Sequence, residues 1–175
     1  MRERILLALR APGSIEAEVG KVQQALFQEH GFVSAIALSP VIPIAFLGRF
    51  PPRGFLQRLQ AAVSGPLRVS AAGTAWQQGA LFLTLDTGGV WASLRDACAG
   101  ESTTGLFPVA EGFFLGCIEA TAPRRKTIRV ETLLPSFSSA TLAVITIATP
   151  TRGGVKWWRD VSCSIDEEKP LRGRR

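Results

Sequence analysis

The chain has 175 residues, 46% of them apolar and 19% charged, with a net charge of +6. That length suits one domain burying about 70% of its unfolded surface, and the apolar content excludes disorder over most of the chain. Two charge-free runs, 31–48 and 133–151, reach membrane-spanning length, but Pro40 and Pro43 interrupt the first and Pro135 and Pro150 the second, so both read as strands and turns. Met-Arg-Glu-Arg and its short apolar sequel are too brief for a secretory signal, and a cytoplasmic protein is expected.

Residues 4–10, "RILLALR", have the length and character of a strand and end at Ala-Pro-Gly. From Ser14 the period changes. Ile15, Val19, Val22 and Leu26 fall at spacings of four, three and four, with Glu16 and Glu18 in the first turn, which predicts an amphipathic helix capped by Ser14 and stopped at Gly31. His30, the one histidine of the chain, stands at that stop, where the helix dipole favours a cation; a capping role is expected ahead of a catalytic one. The run 31–48 reads as one or two buried strands around Pro40. A helix follows Pro51-Pro52, with Phe55, Leu59 and Ala62 on one face and Gly65-Pro66 as its stop.

Residues 67–71 and 80–86 read as a strand pair, and Trp91, Leu94 and Cys98 mark a short helix ending at Gly100. Strands follow at 113–120, 128–134 and 142–148, and an edge strand at 155–165. Residues 166–175, "DEEKPLRGRR", offer Leu171 as their one large apolar side chain and are expected to form a charged flexible tail behind a single domain of residues 1–165. Helices too few to cover both faces of a large parallel sheet imply an α+β sandwich of antiparallel sheets with outer helices.

Four segments in this order resemble the two-histidine phosphoesterase superfamily, the LigT-like group of 2′-5′ RNA ligases and cyclic nucleotide phosphodiesterases. "RILLALRAP" is similar to the opening strand of that family, and "VIPIAFLG" to its His-hydrophobic-Thr-Leu-x-Phe-Leu-Gly motif. "ALFLTLDTGGVWASLRDAC" resembles its central strand and following helix, and "TIRVETLLPSFSSATLAVITIATP" its closing pair of strands. The resemblance implies a LigT-like fold of two pseudo-symmetric lobes, each giving one strand to a central groove. It also implies chemistry in which one imidazole accepts a proton and the other donates one, each worth about 10²- to 10⁴-fold. Carried over by position, the first histidine falls on Val41 and its threonine on Pro43; the second pair falls on Gly116 and Ile118, with a register uncertainty of one. None of these side chains moves a proton.

No phosphate-binding glycine motif is present, and Ser136, Ser138 and Ser139 have no histidine beside them in sequence. Cys98, Cys117 and Cys163 are too widely spaced for a metal-ligand pair and read as free thiols, so no metal or cofactor is expected. Glu119 is a candidate groove residue. Arg124, Arg125, Lys126 and Arg129 form a candidate phosphate-binding patch, while Trp157 and Trp158, flanked by Lys156 and Arg159, have the chemistry to stack on bases. The expectation is a non-catalytic protein binding RNA, a nucleotide or a protein partner. The alternatives are a divergent phosphoesterase or ligase using Glu119, Cys117 or arginines, and a purely structural subunit.

Overall fold

In the computed structural model the described residues are 2–63, 66–117, 130, 134–149 and 162–171. Their elements are β1 (Arg2–Arg10), α1 (Gly13–His30), α2 (Val33–Ala37), β2 (Ile42–Leu47), α3 (Phe55–Ala62), β3 (Ser70–Gln77), β4 (Ala80–Asp86), α4 (Val90–Ala97), β5 (Ser102–Thr103), β6 (Gly112–Cys117), β7 (Ala140–Thr149) and β8 (Ser162–Leu171). The strands form two antiparallel sheets, in the orders β5-β2-β1-β7-β8 and β3-β4-β6. This is the expected α+β arrangement.

Alternation along the strands divides the core in two. Leu7 and Leu9 of β1, Leu81 and Leu83 of β4, and Leu142 and Val144 of β7 face Ile15 and Val19 of α1, Phe55 and Leu59 of α3, and Leu94 of α4. Leu6, Ala8, Phe82, Ala143 and Ile145 face the other way and build a second apolar cluster with Phe46, Phe107 and Phe114.

Several local expectations change. Pro12, not Ser14, is the N-cap of α1, because the Pro12 carbonyl accepts from Ile15 and Glu16 and so draws the helix start earlier. Residues 33–37 form a short helix where strand was expected; it buries Ser34 and Ala35 fully. The first strand of the central pair runs 70–77 instead of 67–71, since Gln78 and Gly79, both at positive φ, make a two-residue hairpin turn. Residues 166–171 are not tail. They complete β8 against β7, where Leu171 is 2% exposed, Gln60 donates to the Pro170 carbonyl, and Glu168 meets Arg10 at 2.5 Å while Arg10 also clasps Glu16 at 2.8 and 3.0 Å. Charges and a proline on an outermost strand are compatible with edge pairing, and composition alone does not reveal that partner. The expected 128–134 strand, apart from Val130 and Leu134, and the 155–161 part of the edge strand lie outside the described residues.

Candidate functional site

The two motif-bearing strands, β2 and β6, come together at the seam between the sheets. There the Phe114 N–H donates to the Val41 carbonyl at 3.2 Å. Each strand carries one bulge. Opposite β1, Ala8 pairs with Pro43 and Leu7 with Ala45, leaving Ile44 extra; opposite β4, Phe82 pairs with Phe114 and Leu81 with Gly116, leaving Leu115 extra.

Matching the bulges equates Val41 with Gly112, Pro43 with Phe114, Ile44 with Leu115 and Phe46 with Cys117. Burial follows the same correspondence: Ile42, Ile44, Phe113 and Leu115 face the helices, whereas Val41, Phe46, Phe114 and Cys117 pack in the second cluster. Hydrogen bonds agree. Gln23 of α1 donates to the Phe114 carbonyl at 3.0 Å and the Trp91 indole of α4 donates to the Pro43 carbonyl at 2.9 Å, so a helix of each lobe reaches the equivalent carbonyl across the seam. The mate of the Phe114-to-Val41 bond would need an N–H on Pro43, which proline lacks.

The pseudo-symmetric partners of Val41 and Pro43 are therefore Gly112 and Phe114. Gly116 faces α2: a Cβ there would stand 3.3 Å from the Ala35 Cβ and 3.4 Å from Ser34 Oγ. Ile118 lies outside the described residues. The bulge caused the difference, because counting through an apolar strand cannot register an extra residue. At Gly112 itself an added Cβ would collide with the Leu83 carbonyl oxygen, so β4 and β6 pack too closely for any side chain.

The seam is apolar and filled. Phe107, on the loop before β6, stacks on Phe114 with ring centroids 4.1 Å apart and meets Phe46 edge-on at 5.0 Å; Phe82 meets Phe114 edge-on at 5.9 Å. All four rings are buried. Sequence reading missed Phe107 because its Gly- and Pro-containing surroundings have no period, and it placed Trp91 only as helix core.

The remaining candidates are dispersed. His30 ends α1 beside Gly31, which adopts the left-handed conformation, with its Nε2 3.8 Å from the Glu29 carboxylate. Cys98 is buried, donates to the Arg95 carbonyl, and has its thiol pKa pushed up by desolvation. Cys117 is half-buried, and its backbone N–H and carbonyl both bond Ser34 Oγ, at 2.7 and 3.2 Å. Glu119, Arg124, Arg125, Lys126, Arg129, Trp157 and Trp158 lie outside the described residues. Ser136 and Ser138 line a surface cavity of about 520 Å³ with Arg68 and Asp86; a second, of about 420 Å³, lies between Arg49 and Glu101. Neither cavity includes Val41, Pro43, Gly112 or Phe114 in its lining. Among the described residues no group of His, Cys, Asp or Glu could hold a metal ion.

Two antiparallel sheets, outer helices and paired bulged strands at their seam make this the LigT-like fold of the two-histidine phosphoesterase superfamily. The chain is similar to TT0787 of Thermus thermophilus, with 17% identity and a TM-score of 0.60 over 98% of this chain and 100% of that one. It is similar also to E. coli LigT complexed with 3′-AMP, with 12% identity and a TM-score of 0.61 over 98% and 99% of the two chains. A further structure described as a phosphoesterase gives 13% and 0.60 over 98% and 99%. At these identities the likeness is one of fold. No family model matches the sequence, and no curated protein matches it.

Proposed function

We propose that the chain is a non-catalytic protein of the phosphoesterase fold that works by binding. The observation carrying this reading is the seam itself. The positions that the family resemblance gives to proton-transferring and phosphate-holding side chains carry Val41 and Pro43, their pseudo-symmetric counterparts are Gly112 and Phe114, and Phe107 fills the space beside them. Proton donor, proton acceptor and both hydroxyls are replaced together. Binding substrate and transition state equally gives no rate, so phosphate affinity elsewhere would not restore turnover.

The test is turnover of a cyclic nucleotide and of a short RNA 2′,3′-cyclic phosphate by the purified protein. None above background is expected. Turnover near that of an active relative, unchanged by His30→Ala, overturns the reading and directs attention to Glu119 or Cys117.

The net charge of +6 favours RNA or a nucleotide as ligand over an uncharged partner. E. coli LigT has been crystallised with 3′-AMP, NADP+ and ATP, which makes nucleotide affinity a reasonable property to test in a chain of the same fold. Binding of labelled RNA should weaken steeply with salt and should fall further when Arg124, Arg125, Lys126 and Arg129 are replaced together by Gln. Salt-independent binding, or none, would leave a protein partner as the reading. No described helix is long and apolar enough to cross a membrane.

A further inference from the structure

The smaller sheet ends in an open strand. β3 pairs with β4 on one side; on its other side, among the described residues, its only neighbour is Phe137, which bridges Val69 just before the strand begins. Seven of the eight β3 residues are exposed and the eighth, Ala75, is half-buried. Long edges are normally blunted by charge or proline, yet residues 69–85 contain neither. The bulge between Ala71 and Gly73 leaves residues 73–77 as the regular part.

We infer that two copies of this chain associate through β3, antiparallel, about a twofold axis at Ala75. The strand is self-complementary about that point. Gln77 and Ala80 close the hairpin as a hydrogen-bonded pair, so alternation turns the N–H and C=O of Thr74 and Trp76 away from β4. With the axis at Ala75, Trp76 of one copy exchanges both its backbone hydrogen bonds with Thr74 of the other, and the reverse, giving four bonds within the regular stretch. The side chains fit the same register. Trp76, 39% exposed and held edge-on by Phe32, stands opposite Thr74 of the second copy, a favourable aromatic and β-branched pair. Ala75 meets its own copy at the axis, where a small side chain lets the strands approach.

Charge selects the same surface. A chain of net charge +6 repels its copy over most approaches, whereas this edge brings no like charges together. A single edge of this length buries less than about 1,200 Å², so the dimer is weak, no tighter than micromolar.

Sedimentation equilibrium from about 10 to 500 µM tests it. The apparent mass should rise with concentration from 18.8 kDa toward twice that value. Ala75→Lys and Ala75→Glu each place like charges across the axis and should stay monomeric, while an equimolar mixture of the two should dimerise at least as well as the unmodified chain. That rescue separates a broken interface from a broken fold. A monomer at every concentration, or an Ala75→Lys variant that dimerises unchanged, overturns the inference; a mixture that fails to recover overturns the twofold at Ala75. Binding of extended peptides by a strictly monomeric chain would assign the edge to another protein.

Discussion

Replacing Phe107 by Ala should be among the most damaging single changes in the second apolar cluster, although Phe107 lies on a loop. Its ring is 6% exposed, stacked 4.1 Å from Phe114 and 5.0 Å from Phe46. Deleting a buried Phe side chain costs about 3–5 kcal/mol when the surroundings cannot close. Here the strands below are fixed by their ladders, but the loop has some freedom to settle, which places the expected loss near the lower end, about 3 kcal/mol. For a chain of this length each kcal/mol moves the midpoint by about 2–4 °C, so Tm should fall by about 6–12 °C. Urea unfolding followed by fluorescence measures the loss directly, with an unchanged slope expected because the folded state stays compact. Phe107→Leu, which retains much of the volume, should lose less. A loss below about 1 kcal/mol for Phe107→Ala would mean that the ring does not fill the seam, and the argument for an occluded site would fall with it.

Three further outcomes can be checked. Ser34→Ala removes a fully buried hydroxyl bonded to both the N–H and the carbonyl of Cys117, and should cost about 1–3 kcal/mol in the same unfolding assay; a neutral result would show that water replaces the hydroxyl. Desolvation raises the Cys98 thiol above its ordinary 9.0, so its contribution is complete below that pH and declines as pH rises through it, because only the unfolded thiol ionises readily. The stability difference between the unmodified chain and Cys98→Ala should therefore shrink between pH 8 and pH 10, and parallel curves would refute the assignment. Val41→His combined with Pro43→Thr restores one motif but leaves Gly112 and Phe114 opposite, and should produce no measurable cyclic phosphate hydrolysis; turnover from this variant would show that one lobe suffices.

The order of elements, the helix from Ile15 to Leu26 and the apolar strands around Leu6, Phe82 and Leu142 were legible because period and burial coincide there. The site was legible in one lobe only. Phe46-Leu47-Gly48 anchors the count to Val41 and Pro43, whereas β6 offers no such word, and the bulge at Leu115 shifts every residue behind it to the opposite face. Sequence showed that the polar residues were missing but not what stands in their place. Phe107 meets Phe114 through a loop closure that no local pattern encodes. β8 was missed for a related reason. Its charged face is what an edge strand shows to water, and its partner β7 is fixed by tertiary pairing that composition does not display.

Gly112 makes the route back to paired imidazoles strongly epistatic. The obstacle to a side chain there is a backbone carbonyl, that of Leu83, which no substitution at residue 83 removes. A histidine introduced alone would force the two strands apart, at a cost of about 1–3 kcal/mol for overpacking, before contributing any chemistry. Phe114 would have to shrink at the same time, leaving Phe107 without the ring on which it stacks, so the individual losses are coupled and do not simply add. Laboratory selection for phosphoesterase activity should stall with point substitutions and succeed sooner with replacement of β6 and its preceding loop as one block.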